Sequence, residues 1–308
     1  MKSKWIPKSI ARDKTVSEQR SSYRYDTDFS ELWVLTEDDL TSEASNDIGS
    51  SRTRALAKLG FRFGKNGAHA ARTMMFDELS LLLDRLPAEA TRADYVREIV
   101  DLNCLAKQTQ KSRELTLRHL TALYALDPSV PIFRTFRKFW DVEKDAQPVL
   151  ALTMALVRDP LLRQSQQFIL GKPLGELVER KELEDLLGND NPDRFSPASL
   201  KSIAQNLNGT WTRGGYLHGK VRKSRSAPVV KPTNVAFALY LGYLEGLSGQ
   251  RLFKSTWAVA LVSSFDELVS MASSGANRGL LVFMNAGGVM EVRFPGYLTS
   301  EEEKWRHE

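Results

Sequence analysis

Residues 207–226 read LNGTWTRGGYLHGKVRKSRS, with Arg213, His218, Lys220, Arg222, Lys223 and Arg225 and no carboxylate. Four glycines and two large aromatics, Trp211 and Tyr216, are interspersed. Three chemistries suit such a stretch: a phosphate-cradling catalytic loop, a nucleic-acid contact surface, or a solvated linker. The first fails on its own pattern. Residues 214–220 match G-x-x-x-x-G-K, but Val221 stands where a magnesium-binding hydroxyl is required, and a polar helix rather than an apolar strand precedes the match. The linker does not explain why residues 196–244 hold seven Lys and Arg and no acid. Nucleic-acid contact uses the whole pattern. Asn208, Thr210 and Thr212 offer donors to phosphate oxygens, while Lys201, Arg213, Lys220, Arg222, Lys223 and Arg225 release counterions. Trp211 and Tyr216 either stack on unpaired bases or anchor the segment to the core.

A second constellation lies at residues 92–126. Apolar periodicity predicts helices over 92–102 and 109–126, joined by NCLAKQ, and the second helix opens with TQKSR. A helix-turn-helix reader presents the start of its second helix to DNA, where amide, hydroxyl and basic side chains are needed. Lys107, Thr109, Gln110, Lys111 and Arg113 meet that description, with Arg118 two turns further on. Cations at a helix start oppose the macrodipole unless an anion answers them.

Other chemistry finds little footing. His69, His119, His218 and His307 are scattered, Cys104 has no partner, and no G-x-S-x-G elbow occurs. Asp26, Asp28 and Glu31 form a loose acidic group of the kind usually just solvated. The expectation is a protein that is not an enzyme, with no catalytic residue, no metal ligand and no cofactor.

The elements that must position these residues are mostly helical. The expected fold class is mainly α: helical domains with helix-turn-helix elements and a small C-terminal β-hairpin, winged-helix-like in arrangement. Met74, Met75, Leu79, Leu82, Leu83 and Leu86 recur at three- and four-residue spacing until Pro87. Pro148 and Pro160 divide the apolar run after residue 147, Ser196-Pro197 opens another helix, and Ser264 with Glu267 has capping-box spacing. LLVFMNAGGVMEVRF reads as two short strands about a glycine turn. The domains expected are a polar extension over 1–55, with Phe29, Leu32, Trp33 and Leu35 as a docking point, a helical domain over 56–190, and a second over 191–308. The 308 residues carry a net charge of +5, and it is clustered: residues 26–51 hold eight acids and no base. One cysteine suits a reducing cytoplasm, and no apolar run approaches a membrane span.

The succession KNGAHAARTMMFDELSLLL, REIVDLNCLAKQTQKSRELTLRHLTALYAL, FRKFW and ALVRDPLLR resembles the BrxA family of bacteriophage-exclusion (BREX) systems. An Asn-x-Leu-x-Lys-x-Ser/Thr signature matches at Asn103, Leu105, Lys107 and Thr109. The resemblance spans roughly residues 65–250. It implies a small all-α, non-catalytic protein that binds double-stranded DNA and acts beside other BREX subunits in blocking phage replication. It also implies a place at the DNA surface for Lys107, Thr109, Lys111 and Arg113. A protein–protein adaptor in a defence complex and an RNA-binding protein are the alternatives from the residues themselves.

Overall fold

Prolines and hydroxyl residues set where the helices begin. The computed structural model describes residues 49–189 and 194–308. Its first helices are α1 (Gly49–Leu59), α2 (Phe76–Arg85), α3 (Arg92–Val96), which continues as one π turn over Arg97–Asp101, and α4 (Gln110–Tyr124). Next come α5 (Pro131–Trp140), α6 (Gln147–Arg158), α7 (Pro160–Gln164), α8 (Gln166–Gly171) and α9 (Arg180–Asn189), with the short strand β1 (Leu177–Val178) before α9. Then follow α10 (Pro197–Arg213), β2 (Leu217–His218), β3 (Lys223–Arg225) and α11 (Pro232–Leu244). The chain closes with α12 (Thr256–Val259), α13 (Phe265–Asn277), the strands β4 (Val282–Ala286) and β5 (Val289–Arg293), and α14 (Ser300–His307). Proline occupies the first turn of α5, α6, α7, α10 and α11, where its missing N–H costs nothing. Thr91, Thr109, Ser196, Ser264 and Thr299 accept backbone N–H groups as N-caps, including the expected Ser264–Glu267 box.

The molecule is mainly helical, with the expected antiparallel hairpin β4–β5 near the C-terminus, registered Val282↔Arg293 to Ala286↔Val289. A second small sheet, in the order β1-β3-β2 and antiparallel throughout, was not expected. Strands of two and three residues are too short to show an alternating pattern.

The division into helical domains at residue 190 does not describe the core. α11 is apolar on all sides and therefore needs partners all round. Phe237 packs against Phe136 and Phe139 of α5 at centroid distances of 6.0 and 6.3 Å, and Phe136 stacks on Tyr124 of α4 at 5.9 Å. The segments before and after residue 190 thus share one core, and the described residues fall in one compact unit. The limit drawn at residue 55 cuts through α1, whose Ala55, Leu56 and Leu59 are buried. Arg52 on that helix donates to the Leu244 carbonyl at 3.0 Å and the Arg306 carbonyl at 2.8 Å, answering unpaired carbonyls at the ends of α11 and α14. The expected docking point at Phe29–Leu35 and the acids Asp26, Asp28 and Glu31 lie outside the described residues.

Candidate nucleic-acid interface

The turn between the π segment and α4 explains the spacing of Asn103, Leu105, Lys107 and Thr109. Asn103 adopts φ +50°, and its side chain grips the backbone of Lys107 twice: Lys107 N–H donates to Oδ1 at 2.8 Å, and Nδ2 donates to the Lys107 carbonyl at 3.0 Å. Leu105 is buried, and Thr109 caps α4 reciprocally with Ser112. Each residue of the signature holds the turn that aims α4. Gln110 donates to Glu114 at 2.9 Å, and Arg113 reaches back to the Val100 carbonyl at 3.0 Å. Arg113 therefore caps the preceding helix with one of its donors and is half-buried. Its Nε is buried. Lys111 and Arg118, seven residues apart and so on one face of α4, are exposed.

The first turn of α2 joins the two predicted basic elements. Its consecutive acids divide the work: Glu78 accepts from Lys107 Nζ at 3.1 Å, and Asp77 pairs with Arg213 at the end of α10. The Arg213 guanidinium also lies 4.4 Å above the Phe76 ring. Thr73 packs over Gly209 of α10, and Arg72 beside it is exposed. Arg72 and Arg118 both act electrostatically on His119. Residues 72–78 therefore sit between α4 and α10. Arg72, Lys111 and Arg118, with Lys201 on α10, are exposed and enter no ion pair among the described residues. Arg72 went unnoticed in the sequence because it stands alone in an irregular segment.

His119 reports on this cluster. Burial, then Arg72 and Arg118, lower its pKa from 6.5 to about 4. A histidine depressed in the folded state stabilises the fold fully above the unfolded pKa and progressively less as pH falls through the folded one. We expect about 3 kcal/mol to be lost between roughly pH 6.5 and 4. Urea unfolding of the wild type and His119→Gln at pH 7 and 4.5 measures this as a steeper acid loss in the wild type.

Further along the basic stretch, three expected contacts are corrected. Thr210 is 0% exposed, Arg225 3% and Asn208 7%, so none can meet a phosphate. Arg225 donates to the Tyr216 carbonyl at 3.1 Å and to the Ser226 carbonyl, with its guanidinium 5.5 Å from the Tyr216 ring. Trp211 and Tyr216 are buried edge to face, with Trp211 Nε1 donating to Ser165 and Tyr216 Oη to the Ala260 carbonyl. They anchor the segment to the core. Thr212 donates back to the Asn208 carbonyl within α10 at 2.7 Å. Lys223 Nζ turns onto the Gly219 carbonyl, which leaves Lys220 and Arg222 exposed at the tip of the β2–β3 hairpin. Gly219 makes that tip possible: at φ +107°, a Cβ there would overlap the Arg222 carbonyl oxygen.

Thr210 belongs to a buried network that local sequence could not reveal. Its Oγ1 accepts from the Met74 N–H at 2.8 Å and faces His69 Nε2 at 2.8 Å, while His69 Nδ1 meets Asp159 Oδ2 at 2.9 Å. Nδ1 faces the carboxylate as its hydrogen-bond partner, and Nε2 shares the second hydrogen bond with the Thr210 hydroxyl. Burial by itself pushes the Asp159 carboxyl up, yet the His69 ring and the backbone N–H groups of Leu162 and His69 hold it below its ordinary value. Gly67 leaves the space that the Asp159 carboxylate fills. The hydroxyl–imidazole–carboxylate order is that of a hydrolytic triad, but all three side chains are sealed from solvent. The network clamps α10 to residues 69–74 and to the start of α7.

Among the described residues no group of His, Cys, Asp and Glu could hold a metal ion, and no helix is long and apolar enough to cross a membrane. Cys104 is half-buried against the core, and burial pushes its thiol pKa up. No protein-family model matches the chain, and no curated protein matches it either.

Proposed function

We propose that this is a non-catalytic, cytoplasmic, double-stranded DNA-binding component of a BREX-type phage-defence system, working beside other subunits of that system. The carrying observation is the position of residues 72–78 between α4 and α10. Arg72, Lys111 and Arg118 are exposed around that segment and Lys201 is exposed on α10, none with an ion-pair partner among the described residues, while Lys107 and Arg213 are oriented by the two acids of α2. The expected helix pair is present as 92–101 and 110–124, joined by residues 102–109, and its place as a helix-turn-helix reader is part of the proposal. The phage-defence part of the reading rests on the resemblance alone.

Four phosphate contacts make affinity for a labelled duplex fall by about two decades between 50 and 200 mM salt, and six, with Lys220 and Arg222 included, by about three. Fluorescence anisotropy across that range tests the reading, and a flat response rejects it. An RNA-binding role loses its support with the burial of Trp211 and Tyr216. A protein–protein adaptor is the second reading, favoured by Met284 and Val289, exposed on β4 and β5. Stoichiometric co-purification of a protein partner without DNA retention would select it.

A further inference from the structure

Val221 is the most exposed large apolar side chain among the described residues, at 96% accessibility against 72% for Val289, the next. One exposed aliphatic residue needs no explanation by itself. This one stands at the tip of a hairpin between Lys220 and Arg222, both exposed and neither hydrogen-bonded nor ion-paired among the described residues. The hairpin beneath it is braced. Leu217↔Arg225 and His218↔Ser224 pair across it, and Lys223 Nζ donates to the Gly219 carbonyl at 2.5 Å, closing its neck. β3 is the central strand, paired on its other side with β1 and joined to Gly175 and Glu176 by two backbone hydrogen bonds of 2.8 Å. Tyr216 and Arg225 anchor the root in the core. The tip, Lys220-Val221-Arg222, is thus held out in solvent on a fixed base.

Resting on the duplex reading above, we infer that this tip enters the minor groove of the DNA: Val221 faces the groove floor, and Lys220 and Arg222 meet phosphates of the two strands that border it. The minor groove is about 6 Å wide, too narrow for a helix but open to a tight turn. Lys220 follows Arg213 by seven residues and so lies within about 25 Å of it. A major groove holding α4 and the next minor groove are half a turn, about 17 Å, apart. An anionic membrane is the other surface that suits a basic tip with an apolar side chain, but one valine supplies too little apolar area to enter it. The groove floor makes the contact selective. A·T pairs present only acceptors there, whereas G·C pairs add the guanine amino donor, which an aliphatic side chain covers without satisfying. A narrow A·T-rich groove also concentrates negative potential, which favours the two cations. The tip therefore selects A·T pairs, while Arg72, Lys111 and Arg118 hold any duplex.

Anisotropy of the full chain with three labelled duplexes of equal length, alternating A·T, alternating I·C and alternating G·C, is the test. Inosine keeps the major-groove pattern of guanine and lacks its amino group, so the I·C and G·C duplexes present different groups only in the minor groove. The A·T and I·C duplexes should bind about tenfold more tightly than the G·C duplex. Val221→Ser, whose hydroxyl accepts from the guanine amino group, should bring the three affinities together and leave melting unchanged. Lys220→Gln with Arg222→Gln should weaken all three and reduce the log–log salt slope by about 1.8. An I·C duplex bound no better than G·C, a Val221→Ser variant that keeps the preference, or a double variant with the wild-type slope overturns the inference and leaves the duplex reading standing. No binding to any duplex overturns both, and Val221-dependent sedimentation with phosphatidylserine vesicles would then assign the tip to a membrane surface.

Discussion

Thr210→Val lowers the unfolding free energy by about 3 kcal/mol, because two buried groups lose their partners at once. The Met74 N–H loses its acceptor and His69 Nε2 loses its hydrogen-bond partner, in a site closed to water. Each orphaned group costs about 1–3 kcal/mol, and valine fills the volume of threonine, so no cavity contributes. For a unit of this size the melting temperature should fall by about 6 °C. Thr210→Ser, which restores the hydroxyl, should recover most of the loss. Duplex affinity measured at 25 °C should not change in either variant. Unaltered melting combined with weakened DNA binding would return Thr210 to the surface role that its neighbours in sequence suggest. Asp159→Asn addresses the same clamp through pH. A carboxyl held below its unfolded value contributes stability above that value and loses it as pH falls through the folded one. The variant should be less stable at pH 7 and show a shallower decline in acid.

Removing Arg72, Lys111 and Arg118 together should weaken duplex binding about a hundredfold at 0.15 M salt. Each phosphate contact is worth about fivefold there if binding at 1 M salt is unaffected, and the log–log salt slope should shrink by about 0.9 per contact. The loss should be equal for every duplex sequence, because these side chains meet phosphates rather than base edges. All three are exposed, so the triple Ala variant should melt with the wild type. His119 supplies an independent readout. Phosphates that neutralise Arg72 and Arg118 remove the repulsion that lowers its pKa, and DNA should move its imidazole titration upward in NMR. An unmoved His119 titration in saturating DNA, or full affinity in the triple variant, would place the duplex elsewhere. Lys220→Ala with Arg222→Ala tests the hairpin tip by the same slope, since no ion pair or hydrogen bond ties those two side chains to residues 72–78 among the described residues. Arg225→Ala is a different experiment: its guanidinium is internal, and its removal should destabilise the hairpin.

The sequence by itself determined the helices and their beginnings. A proline, a cap or a capping box acts within four residues of itself, so Ser196-Pro197 and Ser264 with Glu267 could be read directly. It also determined the acid-free span and the spacing around Asn103, whose contacts are local. Tertiary structure alone decided which of the cations are available. Asp77 answers Arg213 across 136 residues, Thr210 meets His69 across 141, and Trp211 reaches Ser165 across 46. No periodicity or short motif encodes such distances, because burial is set by whatever packs on a residue from elsewhere in the chain. A run of positive charge is therefore visible in one dimension, whereas its division into anchors, capped pairs and exposed contacts exists only in three.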